Sequence, residues 1–258
     1  MELPTSDRGR KEVVDGYSTE KMLSHAARIR DERGFDAFPI IDADAHHYES
    51  ESNLEIAEYI DDNAYMRIYS LIEETGKPLA FHSGFNANDQ FMAAGDPFIV
   101  MHALGFTLFN VLHICNWICN GMNERFPKLK VVWTKSGLAW MPWVAQRLDS
   151  DYRMRSSECP MLTKLPSEYI QDMYYTTQPM KVPNDLSLLE STFKVIKAET
   201  QLLFGSDYPH WDMELPSVIW DLPFLDEAAK RNILGGNARK VYNIDVSDRY
   251  PDNRPMAA

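Results

Sequence analysis

The chain has 258 residues, 45% hydrophobic and 25% charged, with a formal net charge of −12. That length suffices for one large α/β domain with a full core, and the negative balance argues against nucleic acid as a partner. Cys115, Cys119 and Cys159 suit a reducing cytosol better than a disulfide framework, and the polar opening of the chain carries no signal-peptide pattern.

Residues 1–16 read as a flexible arm and 17–258 as a single domain. Ser18 or Thr19 caps a helix that runs to about Glu32 and stops at Gly34. A first strand over 38–45 leads to His46, and a short helix over 53–60 follows. An amphipathic helix over 64–75 ends at Gly76, and Pro78 opens a strand over 78–82. Asp96 and Pro97 start a long, largely buried helical stretch over 98–120. Its apolar run is interrupted by His102, Gly105, Thr107, Asn110, His113 and Asn116, so no membrane span is expected. Beyond a loop at 124–127 come strand 129–134, helix 138–155, strand 173–177, helix 186–197 and strand 202–206. Helices over 226–234 and 237–242 close the domain. Strand alternating with helix predicts a parallel sheet, but five strands fall short of the eight of a closed barrel.

Three of these strands deliver metal-binding residue types at their C-terminal ends. Asp44 and His46 stand at i and i+2, on one face of a strand, whereas His47 points the other way. His82 precedes Ser83-Gly84, and Asp207 precedes Tyr208-Pro209. A single strand-end histidine is more often structural, but three such endings together read as one metal site at the top of a parallel barrel. Imidazole and carboxylate suit one divalent ion, zinc first, with manganese or iron as alternatives. Open coordination positions would make the site catalytic. His210 reads as a support or proton carrier. His102 and His113 share a face of the long helix and either line the site, even as a second metal set, or sit satisfied in the core. Trp133, Trp140 and Trp143 read as core, with Trp140 also a candidate pocket wall.

With those residues in hand, the chain resembles the amidohydrolase-related family of metal-dependent (β/α)8 TIM barrels, which includes hydrolases and decarboxylases. The motifs are Asp42-Ala43-Asp44-Ala45-His46, Phe81-His82-Ser83-Gly84, 124–132, Gly205-Ser206-Asp207-Tyr208-Pro209-His210 and Gly235-Gly236-Asn237-Ala238. The resemblance implies that Asp44, His46, His82 and Asp207 hold the metal. Two features depart from it. His82 follows His46 too closely to admit strands two to four, and the resemblance breaks near 60–63, which reads as a discontinuity. The sixth-strand position, a histidine or glutamate in such families, is Lys135 here. It would act as a base or pair with a substrate anion, or else salt-bridge a structural carboxylate.

The function expected is hydrolysis or non-oxidative decarboxylation of a small carboxylate or carbonyl compound, with His210 and Lys135 as catalytic residues. Two alternatives are a non-haem, even dinuclear, metal oxygenase and a catalytically weak partner subunit of an active paralogue. Expected partners are a small-molecule substrate and further subunits in a homo- or hetero-oligomer, with no membrane and a cytoplasmic location.

Overall fold

The computed structural model describes residues 19–44, 65–84, 95 and 98–246. The expected arm, the helix over 53–60, His46, His47 and the break near 60–63 lie outside the described residues.

Four short parallel strands form one sheet in the order β1 (Leu79–His82), β2 (Val131–Thr134), β3 (Tyr174–Thr176), β4 (Leu202–Leu203). Every residue of β2 is buried, which explains why Val131-Val132-Trp133-Thr134 is a continuous β-branched and aromatic run instead of an alternating one. The register pairs His82 with Thr134, Trp133 with Tyr175, and Thr176 with Leu203. His82, Thr134, Thr176 and Leu203 therefore stand at one level, and the residues just beyond them form the C-terminal rim.

The described part of the segment expected as a first strand, 38–44, is an extended edge rather than a ladder strand. Its donors go to two different elements: Ile41 N to Leu234 O at 2.9 Å and Ala43 N to Phe204 O at 2.8 Å. Asp207 N returns a bond to Asp44 O at 3.0 Å, which fixes the end of this stretch beside the end of β4. Gly235 permits the approach, because a Cβ there would lie 2.2 Å from Pro39 O. Asn237 completes the joint by donating to Glu199 O at 3.0 Å and Leu202 O at 2.8 Å.

Helices cover the sheet: α1 (Thr19–Arg33), α2 (Met66–Thr75), α3 (Phe98–Cys119), α4 (Met122–Arg125), α5 (Met141–Arg155), α6 (Pro166–Ile170) and α7 (Leu186–Ile196). α8 (Ala198–Gln201), α9 (Ser217–Trp220), α10 (Glu227–Arg231) and α11 (Asn237–Tyr242) follow, with a π turn over Asn232–Gly236. Asp185 caps α7 by accepting from Ser187 N, and Asp226 caps α10 by accepting from Ala229 N. The core under α2, α3 and β2 is aromatic. Trp133 stacks on Phe81 with centroids 4.8 Å apart, and Trp117 meets Tyr69 edge-on at 5.4 Å. Burying each such ring stabilises the fold by roughly 1.5–3 kcal/mol.

Three expectations need correction. The loop at 124–127 is in part helical, as α4. Trp143 is 57% exposed on α5 and leaves the core that Trp133 occupies. The long helix expected to be largely buried, α3, is continuous over 22 residues and matches a membrane span by length and composition alone, but it leaves Phe98, Ile99, Leu104 and Leu112 exposed. Its polar residues tie it to the sheet. Asn110 Nδ2 donates to Thr134 O at 2.9 Å, and Thr107 Oγ1 donates to Ser136 O at 3.0 Å.

Candidate metal centre

Each rim position is set by its backbone. Asp42 is the brace of the first extended stretch: its Oδ1 accepts from Asp44 N at 3.0 Å and from Ser206 N at 2.9 Å, and its Oδ2 accepts from the Ser206 hydroxyl. Gly205 lets the two segments touch, since a Cβ there would lie 2.6 Å from Asp44 Cβ. The Thr177 hydroxyl donates to Gly205 O at 3.1 Å and accepts from Gly205 N at 3.0 Å. The chain then turns at Asp207, whose φ is 61°, and Lys135 beyond β2 turns likewise at φ 58°. Left-handed backbone at non-glycine residues is costly and concentrates at functional sites.

These turns bring Asp44, His82 and Asp207 together, with one ligand atom from each lying within 4.8 Å of the others. His82 Nε2 lies 3.7 Å from Asp44 Oδ1. Asp44 and Asp207 are buried and His82 is partly open to solvent, so the group has a dry floor and an accessible side. Burial pushes the Asp44 carboxyl up to about 8, with Lys135 opposing and Asp42 adding to it. A carboxylate so placed calls for a cation. Ligands of one divalent ion at about 2.0–2.3 Å stand within roughly 4.6 Å of one another, so a small contraction would seat an ion here. The donor set fits a divalent metal.

The Lys135 ammonium also reaches this group and contacts Asp207 Oδ2. Burial lowers its pKa from the usual lysine range, against the pull of Asp212 and Asp44. It stands 5.5 Å from the centroid of the Phe106 ring on α3. His210 Nδ1 sits 2.9 Å from Asp207 Oδ1. Burial lowers the His210 pKa as well, and the charge of Lys135 adds to that effect.

Beside the site lies a cluster of which the sequence singled out only His102. Asp212 is buried and meets Lys181 Nζ at 3.2 Å and His102 Nε2 at 3.9 Å. Burial would raise the Asp212 carboxyl, but Lys181 and Lys135 outweigh it and hold it below its ordinary value. The His102 ring lies 5.0 Å from Trp211 and 5.7 Å from Phe106. Glu214, also buried, accepts from Met180 N with both oxygens at 3.2 Å. The signal in the chain was the alternation His210, Asp212, Glu214 directly after the Asp207 motif.

The remaining sequence candidates fall elsewhere. His46 lies outside the described residues. His102 faces Asp212, and neither it nor His113 belongs to the one ligand group found among the described residues. Trp140 donates its indole N–H to Ser136 O at 2.9 Å and Gly137 O at 3.0 Å, so it braces the turn after Lys135. Cys115 and Cys119 are partly buried thiols, which burial pushes up to about 11 and about 12.

A model of the amidohydrolase family matches residues 20–244. The chain belongs to the amidohydrolase family. It is 25% identical over 190 residues to a 2-amino-3-carboxymuconate-6-semialdehyde decarboxylase of Dictyostelium discoideum, covering 72% of this chain and 50% of that one. Among solved structures it is similar to 5-carboxyvanillate decarboxylase from Sphingomonas paucimobilis, with TM-score 0.62, 24% identity, 78% of this chain and 59% of that one. A dihydroxybenzoic acid decarboxylase from Polaromonas, with bound manganese, matches with TM-score 0.54 and 16% identity over 72% of this chain and 56% of that one. The fold of this amidohydrolase chain is thus of (β/α)8 barrel type. The chain spans about half the length of the curated relative it matches, in keeping with four strands among the described residues.

Proposed function

We propose that this amidohydrolase-family chain carries the metal site of a non-oxidative decarboxylase acting on a small carboxylate, with hydrolysis of a carbonyl compound as the second reading. The observation that carries the proposal is the convergence of Asp44, His82 and Asp207 at the rim. Together with His46 they would hold one divalent ion, zinc or, as in the Polaromonas relative, manganese. When bound, the ion would supply Lewis acidity toward a substrate oxygen or a water. Asp42 fixes Asp44 through its amide and fixes Ser206 through amide and hydroxyl. Asp207 accepts from His210 Nδ1 at 2.9 Å and so orients the imidazole, which leaves Nε2 to take up or return a proton. Lys135 places a positive charge where a substrate anion would sit. The names of the relatives favour decarboxylation over hydrolysis.

The polar contacts that tie α3 to the rim support a chain that works outside a membrane. One observation favours the alternative of a catalytically weak partner subunit, namely the contact of Lys135 with Asp207. Elemental analysis after loading with Zn²⁺ or Mn²⁺, paired with CO₂ release from 5-carboxyvanillate and 2,6-dihydroxybenzoate, decides between them. One bound equivalent with CO₂ release supports the decarboxylase. Bound metal with hydrolysis alone moves the reading to a hydrolase, and an absence of both metal and turnover leaves the partner subunit.

A further inference from the structure

Two clusters of acid flank one lysine. On one side are Asp44 and Asp207, with Asp207 in direct contact with the Lys135 ammonium. On the other are Asp212 and Glu214, both buried, with Asp212 reached across one shared ring: the Lys135 ammonium stands 5.5 Å and the His102 ring 5.7 Å from Phe106, and His102 Nε2 lies 3.9 Å from Asp212 Oδ2. The lysine is 4% exposed, so its charge is committed to these carboxylates and not to solvent.

Its placement is fixed by the backbone. Lys135 adopts φ 58°, its N–H donates to Thr176 Oγ1 at 3.4 Å, and the turn behind it is held by Trp140 and Thr107 at the Ser136 carbonyl. Three elements therefore aim one side chain at the group of ligands. A side chain of incidental role would not need such support.

We infer that Lys135 is a resident cation that competes with the divalent ion for Asp207, and that Asp212 and Glu214 form a second berth into which its ammonium moves when the ion binds. The inference rests on the metal-centre reading of Asp44, His82 and Asp207. The physical reason is charge. The ammonium and a divalent ion are both drawn to the Asp207 carboxylate, and like charges in a dry rim repel strongly. The stem of a lysine has four rotatable methylenes, so the head can change partners while the backbone stays in place. In its second position the ammonium would leave Asp207 to the ion and would be held beside it by Asp212, which also holds Lys181. The acidic floor would thus keep a counter-charge whether or not metal is present.

The test is titration of metal-free protein with Mn²⁺, following free Mn²⁺ by electron paramagnetic resonance. Lys135→Met and Lys135→Gln should each bind Mn²⁺ about tenfold more tightly than the wild type, and Lys135→Glu more tightly still. Asp212→Asn should weaken binding several-fold in the wild type and have no effect in the Lys135→Met background. A merely structural role for Asp212 would weaken both alike. The rise in unfolding temperature on adding Mn²⁺, measured on the same variants, should be larger without the lysine, which covers any variant that is unstable without metal. Unchanged or weaker binding in the Met and Gln variants overturns the inference while leaving the metal centre intact. Binding in the variants but not in the wild type overturns the second berth, since the ammonium then does not yield Asp207 to the ion, and removes metal from the function of the natural chain. An absence of binding in all of them overturns both.

Discussion

Gly205 decides how near Asp44 can come to the end of β4. A methyl at that position would stand 2.6 Å from Asp44 Cβ and 3.2 Å from Thr176 Cβ, both well inside contact distance. Thr176 belongs to a buried strand and cannot yield, so Asp44 would be pushed outward. Gly205→Ala should cost about 1–3 kcal/mol in denaturant unfolding and should also weaken Mn²⁺ binding, because the displaced group is a ligand. An alanine variant with unaltered Mn²⁺ affinity would show that Asp44 is not part of the centre. His102 gives a pH dependence with a definite sign. Its imidazole is held below the ordinary 6.5 by burial first; Asp212 opposes the effect, and Lys181 and Lys135 add to it. The unfolded chain therefore takes up a proton more readily than the folded one. Stability contributed at this position is present above pH 6.5 and is lost as pH falls below it. Between pH 7 and pH 5 the wild type should lose more thermal stability than His102→Phe, whose ring suits the surrounding Phe98, Phe106 and Trp211. Equal losses would place the titrating group elsewhere. At this scale the sequence was most legible where chemistry and strand ends coincide, as at Asp44, His82 and Asp207. It was least legible for Asp212 and Glu214, because their alternation with His210 does not by itself say that the chain folds back there and buries two carboxylates.

α3 shows what a helix must satisfy to lie across the rim of a parallel sheet. Its outer face leaves Phe98, Ile99 and Leu112 exposed, while Asn110 on the inner side is buried and bonded to the carbonyl of Thr134. Asn110→Ala removes a buried donor from that carbonyl and should cost about 1–3 kcal/mol, read as a shift in the midpoint of urea unfolding. Leu112→Gln, on the exposed face of the same helix, should stay within about 0.5 kcal/mol of the wild type. Equal effects would mean that the two faces are assigned wrongly. The helical period and the apolar run made the existence of this helix plain from residues alone. The strands were harder. The expected segments 129–134 and 173–177 narrow to Val131–Thr134 and Tyr174–Thr176, since ladder bonding depends on where the neighbour lies. The first stretch is extended but splits its bonds between Phe204 and Leu234, which no local propensity encodes.

At the scale of the whole molecule, the sheet runs from β1 at one end to the Asp42–Asp44 stretch beside β4 at the other. His82 belongs to the first end and Asp44 to the last, and their ligand atoms are 3.7 Å apart. An ion gripping both would act as a clasp between segments that the backbone ladder does not join among the described residues. Loading the centre would then tighten the two ends of the sheet together, far from each other along the chain. The amides that report this are Ser83, bonded to Thr134 O, and Ala43, bonded to Phe204 O. Both should exchange their hydrogens more slowly in the presence of Mn²⁺, and by a similar factor, while Trp133 in the middle of the sheet should hardly change. Slowing at only one of the two would mean that the ion decorates a single edge and that the barrel draws no closure from it.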